Sequence, residues 1–379
     1  MKGSDFCHSL FCIFTKHIFK PMYMKAALFL VAVILLLSPD AFSQKKAKDN
    51  KTKKIDGGLY GPVLDKKAFP ECSYAAWVLD FEDGFDGKEL NFSNWKLPYQ
   101  GILAGFDFAN GGSKQWYANS GKTPEIPVSN NIRLENGILK LMAVKEPKPI
   151  VGSYVTDWSV NPPKRDTASF DYSSAWIESE KQFGYGYYET RCKLPKAKGM
   201  WPAFWLFSGK DGFAFEIDIF EFWNENSCVG MYDPKRLSKN PHWNIHSNKA
   251  LFPNDVTSPS DLCKPCQGQS WAVADLDEGY HVYGFEWDYY KMTWYIDGEK
   301  VRTTYHFLSK KGEPITCKTD VKNTADLYEA YFWPDTEAMD VRFNLGVQYN
   351  NGGEPEKDTA FPMSFEIDYF RFYKQKGKR

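Results

Sequence analysis

From Trp77 to Tyr373 the chain alternates apolar and polar positions in short runs rich in aromatic and β-branched residues. Turn dipeptides such as Asn136-Gly137, Asp297-Gly298 and Gly352-Gly353 break these runs, and no long helical period develops. The pattern predicts an all-β chain folded as two stacked antiparallel sheets. Pro147 to Phe170 and Leu251 to Asp277 read as loop insertions, and Pro314 to Thr336 as a further irregular stretch. Loops on such a scaffold commonly shape substrate choice. No repeat and no second domain is visible.

One run departs from simple alternation. Phe213-Ala214-Phe215-Glu216-Ile217-Asp218-Ile219-Phe220-Glu221-Phe222-Trp223 reads as a strand, yet carries three carboxylates. Glu216 and Asp218 share one face, Ile217 and Ile219 the other. Glu221, at an odd offset, falls with the apolar set unless a β-bulge at Ile219 or Phe220 returns it to the acid face. A solvated edge strand would tolerate the clustered charge but leaves the five aromatic residues of the run unexplained. Glycoside hydrolysis explains both, because it needs a nucleophilic carboxylate and a protonated carboxylic acid roughly 5–5.5 Å apart in retaining enzymes. A third acid between them tunes the pair.

The same parity puts Trp201, Ala203 and Trp205 on one face and Pro202 and Phe204 on the other. Two tryptophans beside the acids suit sugar stacking, each with an indole N–H for a hydroxyl; burial in the core is the alternative.

Glu216-Ile217-Asp218-Ile219-Phe220-Glu221 resembles the E-x-D-x-x-E signature of glycoside hydrolase family 16 in its bulged form. Gly199-Met200-Trp201-Pro202-Ala203-Phe204-Trp205-Leu206 resembles that family's G-x-W-P-A-F-W-L segment, and Tyr185-Gly186 through Pro195 its Y-G-x-x-E-x-R-x-K-x-P strand. Asn244-Ile245-His246, Tyr280 to Trp287, Tyr295-Ile296-Asp297-Gly298, Arg342-Phe343-Asn344-Leu345 and Ile367 to Tyr373 extend the resemblance over about 77–374. It implies a jelly-roll β-sandwich with a concave cleft. It also implies Glu216 as nucleophile, Glu221 as acid/base and Asp218 as the assisting acid. Trp201, Trp205, His246, Asn344 and Arg191 are the implied substrate-binding residues. The implied chemistry requires no cofactor, although some relatives hold a structural calcium through a residue placed where Asp368 stands.

The expected substrate is a β-1,3- or β-1,3/1,4-glucan cut internally. Phe215 stands where many laminarinases have Gly, and agarases, carrageenases and porphyranases of algal galactans share the bulged signature. A sulfated galactan would favour cleft cations, for which Lys164-Arg165 and Lys235-Arg236 are candidates. A jelly-roll module that binds polysaccharide without cutting it is the remaining alternative, but gives the three acids no purpose.

Composition narrows this little further. The 379 residues are 43% apolar and 17% aromatic, enough for one large sandwich core. A net charge of −1 argues against nucleic acid as a partner. Polysaccharide is the expected partner and a monomer the expected state, with no protein partner implied. From Met24 the chain carries one lysine, an apolar run over Ala26 to Leu37, and small residues Ala41 and Ser43, the pattern of a signal peptide. Residues 1–43 are therefore expected as upstream segment and leader, 44–72 as a Lys-rich linker, and 73–375 as the catalytic domain, with the protein exported. Export would let Cys72, Cys192, Cys228, Cys263, Cys266 and Cys317 form disulfides, in pairings the sequence leaves open. Cys263-Lys264-Pro265-Cys266 reads as a structural bridge in a long loop.

Overall fold

The computed structural model describes residues 77–97, 114–118, 126–157, 162–208, 215–221, 242–243, 278–309, 311, 313–322, 327–329, 339–348 and 354–375. The expected leader and linker, Leu251–Asp277, Lys235-Arg236, Gly352-Gly353, His246, Cys72, Cys228, Cys263 and Cys266 lie outside them.

In chain order the strands begin with β1 (Trp77–Asp83), β2 (Trp95–Lys96), β3 (Gln115–Tyr117), β4 (Ile132–Glu135), β5 (Ile138–Asp157) and β6 (Lys164–Ser174). They continue with β7 (Trp176–Phe183), β8 (Gly186–Lys193), β9 (Met200–Ser208), β10 (Phe215–Glu221), β11 (His242–Trp243) and β12 (His281–Trp287). The last are β13 (Lys291–Ile296), β14 (Glu299–Tyr305), β15 (Phe307–Ser309), β16 (Leu327–Glu329), β17 (Met339–Val347) and β18 (Met363–Gln375). A short helix, α1 (Val128–Asn131), precedes β4.

These strands form two large sheets, as the alternation predicts. One has ten strands in the order β14-β13-β12-β8-β18-β5-β6-β3, with β1 beside β18 and β4 beside β5. The other has six in the order β11-β10-β9-β17-β7-β2. Their inner faces bury one aromatic core. Phe204 and Phe343 of the smaller sheet stack at 4.6 Å, and Phe204 meets Phe370 of the larger sheet edge-on at 6.0 Å. Asn136-Gly137 (φ 56° and 74°) and Asp297-Gly298 (φ 50° and 82°) make the two-residue hairpin turns that their dipeptides predict.

Two expected irregular stretches carry strand pairing among their described residues. Pro147–Phe170 falls mainly in the hairpin of β5 and β6, paired from Ile150↔Phe170 to Asp157↔Lys164. The ladder breaks between Lys145 and Ile150, where Pro147 and Pro149 have no N–H to donate. Ile150 and Phe170 pack with Trp116 as a satellite core. Within Pro314–Thr336, β16 pairs with β15, and Ile315, Val321 and Leu327 bury against Tyr290 and Phe307. Two of the six cysteines lie among the described residues. Cys192 is a free thiol on the inward face of β8, and burial pushes its pKa well up; Cys317 is disulfide-bonded.

Candidate active site

Strand β10 is built around a bulge. Ile217, Ile219 and Phe220 all bury into the sandwich core. On the ladder with β9, Glu216 pairs with Phe207, Asp218 with Trp205, Phe220 with Phe204 and Glu221 with Ala203, so the register skips Ile219. The extra residue turns an odd offset into an even one. Glu216, Asp218 and Glu221 therefore share the outer face of the six-stranded sheet. Asp218 and Glu221 are buried in that face, while Glu216 is partly exposed. From the opposite sheet, the buried Trp294 donates its indole N–H to the Asp218 carbonyl at 3.1 Å, tying down the backbone where the strand bends.

Parity holds on β9 as well. Phe204 is in the core, whereas Trp201 and Trp205 are half-buried on the acid face. Their N–H groups, however, are not held for sugar hydroxyls. Trp201 Nε1 donates to Glu221 Oε1 at 3.1 Å, and Trp205 Nε1 to Asn344 Oδ1 at 2.7 Å. A donor-only indole beside an acceptor in a poorly hydrated face takes that acceptor. Asn344 in turn donates from Nδ2 to the Tyr117 hydroxyl at 3.2 Å. The predicted Asn344 thus belongs to the site by bracing Trp205.

The ladder extends this face to residues that motif reading missed. Arg342 lies opposite Trp205, Glu178 opposite Arg342, and Lys96 opposite Glu178. The Arg342 guanidinium sits 4.8 Å from the Trp205 ring centroid and 4.3 Å from that of Phe207. Its Nη2 lies 3.5 Å from carboxylate oxygens of both Glu178 and Asp340. Burial raises the Glu178 pKa, partly offset by Arg342 and Lys96. Trp176, across from Asn344, packs its ring 5.4 Å from that of Trp205. Parity alone places Arg342 beside Asn344, which was the available signal.

Arg191 and Asp368 sit elsewhere. Arg191 is on the outward face of β8, in the ten-stranded sheet, so it is removed from the acids by the full thickness of the sandwich. Its Nη1 donates to Asp368 Oδ2 at 2.5 Å, and its guanidinium lies 4.6 Å from the Tyr280 ring centroid. A guanidinium on the Asp368 carboxylate is a poor setting for calcium, and the described residues contain no cluster of three or more metal-ligating side chains. The backbone of His242 pairs with Glu216 on the parallel β10–β11 ladder.

The chain is similar to known proteins over most of its described length. The family description "Glycosyl hydrolases family 16" matches residues 128–343. Glucan endo-1,3-beta-glucosidase A1 of Niallia circulans is 25% identical over 309 residues, covering 79% of this chain and 38% of that protein. Glucan endo-1,3-beta-glucosidase of Cryptopygus antarcticus is 25% identical over 318 residues, covering 80% and 94%. Beta-porphyranase B of Zobellia galactanivorans is 23% identical over 287 residues, covering 72% and 78%. The chain spans 38% and 35% of the length of the first two curated relatives it matches. Among solved structures, the endo-beta-1,3-glucanase from Pyrococcus furiosus superposes with a TM-score of 0.51 at 24% identity, covering 82% of this chain and 98% of that one, a likeness of fold. With the family description matching more than half of its length across the bulged acid strand, the chain belongs to glycoside hydrolase family 16.

Proposed function

We propose that this protein is an exported, endo-acting glycoside hydrolase that cleaves β-1,3- or β-1,3/1,4-linked glucan with retention of configuration. The observation that carries the proposal is the bulge at Ile219, because it sets Glu216, Asp218 and Glu221 on one face beside Trp201 and Trp205. Glu216, the more exposed acid, attacks the anomeric carbon while Glu221 protonates the departing oxygen; Glu221 then takes a proton from the water that releases the sugar. Asp218 lies between them and tunes both.

A neutral substrate is supported by the charges along the floor. The Arg342 cation is already balanced by Glu178 and Asp340, which leaves little field to attract a sulfate. The endo-1,3-beta-glucosidase names of two relatives point the same way. A galactan substrate is the second reading, supported by the porphyranase match. Export is supported by the leader pattern before residue 44. The sequence implies no protein partner, and we propose a monomer.

Release of reducing ends from laminarin, mixed-linkage glucan, agarose, porphyran and κ-carrageenan tests the reading. Oligosaccharides from laminarin or mixed-linkage glucan are expected. Turnover of a galactan alone overturns the substrate assignment, and binding without turnover overturns the enzyme.

A further inference from the structure

The Trp201 indole is fixed by more than its contact with Glu221. Trp201 pairs across the ladder with Gly346 on β17, and a Cβ at Gly346 would lie 3.3 Å from Trp201 Cβ and 3.4 Å from its Cε3. The missing side chain leaves the ring room to lie over β17. Upstream, Gly199 takes φ +86° with its Cα against Pro355, where any Cβ would come within 2.5 Å of the proline ring. The chain thus enters β9 along one path, and from it Trp201 Nε1 reaches Glu221 Oε1 at 3.1 Å.

We propose that Trp201 is a positioning residue for Glu221, its N–H holding Oε1 so that Oε2 is the oxygen that gives and later receives the catalytic proton. An indole N–H donates and cannot accept, so the oxygen it holds is the one without the proton. In the first step Oε2–H transfers its proton to the glycosidic oxygen as the bond from that oxygen to the anomeric carbon breaks and Glu216 bonds to the carbon. In the second step water bonds to that carbon, loses a proton to Oε2, and the Glu216 ester bond breaks. The inference rests on the hydrolase reading above.

The N–H also sets how readily Glu221 holds its proton, since a donor to a carboxylate favours the charged form. Other groups on this face are Glu216 and Asp218 on the same strand and Asn344 across β9 on β17, with Arg342 and Asp340 further along β17 in the rows of Asp218 and Glu216; Tyr283 packs against Phe220 on the core side. None of these is altered by replacing Trp201 with phenylalanine.

For Trp201→Phe, which keeps an aromatic ring over Gly346 but removes the donor, the basic limb of the kcat/KM profile should move to higher pH by about one unit, the size of one charge-assisted hydrogen bond. Trp205→Phe, whose N–H is held by Asn344, should raise KM without moving that limb. An unmoved limb in Trp201→Phe overturns the proposal, because loss of stacking alone would change KM only. Should Trp201→Phe not fold, benzothienylalanine at position 201 gives the same comparison with the indole shape kept. If the wild-type protein proves inactive, ¹³C-carboxylate titration of Glu221, assigned with Glu221→Gln, reads the same shift without turnover. A higher midpoint in Trp201→Phe then supports the positioning role while the hydrolase reading fails, and an equal midpoint rejects it.

Discussion

Asp218 stands directly across the ladder from Trp205, and the next pair along, Phe220 with Phe204, has passed over Ile219. Because Ile219 is passed over rather than paired, Glu221 shares the face of Glu216 and Asp218 instead of turning to the core. Deletion of Ile219 gives a regular strand in which both Glu residues and Asp218 still alternate onto one face. The variant should keep measurable hydrolysis, well above that of Glu216→Gln. It should also lose about 2–5 kcal/mol of stability with the buried isoleucine side chain. Activity as low as that of Glu216→Gln in a folded deletion protein would show that the bulge does more than restore parity.

Much of this is legible in the sequence. Alternation puts Glu221 with the apolar set unless a bulge at Ile219 or Phe220 returns it to the acid face, and the ladder skips Ile219. The Asn-Gly and Asp-Gly turns were readable because few other dipeptides accept two consecutive positive φ angles. The β5–β6 hairpin was not, since Pro147, Pro149 and a charged outer face imitate a loop. Arg191 was drawn to the site by its motif, whereas strand order puts β8 in the other sheet. The Arg342–Glu178 pair depends on β17 lying beside β7, a neighbour relation that alternation within one strand does not encode.

Asn344 holds the indole of Trp205. Replacing it with alanine removes the acceptor of the 2.7 Å bond and should cost about 1–3 kcal/mol of stability. A freer Trp205 should raise KM more than it lowers kcat, and Asn344→Asp, which keeps an acceptor, should restore much of the loss. Urea unfolding together with steady-state kinetics on laminarin checks both. An unchanged KM in Asn344→Ala would remove Trp205 from sugar contact.

Arg342 and Glu178 should depend on each other. Removing Arg342 takes from the buried Glu178 its main counter-charge, at about 3–5 kcal/mol, whereas removing Glu178 leaves Arg342 with Asp340 and costs less; removing both costs less than the sum. A double-mutant cycle of Arg342→Met and Glu178→Leu in thermal or urea unfolding measures the coupling. Additive losses would mean that the 3.5 Å approach of the pair contributes nothing.

The same pair carries a pH dependence. Burial lifts the Glu178 pKa above its ordinary 4.5, and Arg342 is the largest influence pulling it down. A raised folded value means that the folded chain keeps the proton longer than the unfolded one. Stability from this group is therefore fullest below the ordinary value and falls as pH rises through the folded value. In Arg342→Met the lift grows, so Tm should fall more steeply than in the wild type as pH rises above about 4.5. Parallel Tm curves from pH 4 to 8 would contradict the assignment.

The division of labour between Glu216 and Glu221 is tested most directly by azide rescue of Glu221→Ala with an activated β-glucoside oligosaccharide, the product anomer being read by ¹H NMR. Without its acid/base the variant should form the Glu216 ester from a good leaving group and then stall. Azide, entering from the face Glu221 vacated, should restore turnover and give the β-glycosyl azide. An α-glycosyl azide would exchange the roles of the two glutamates, and full activity without azide would take Glu221 out of the mechanism.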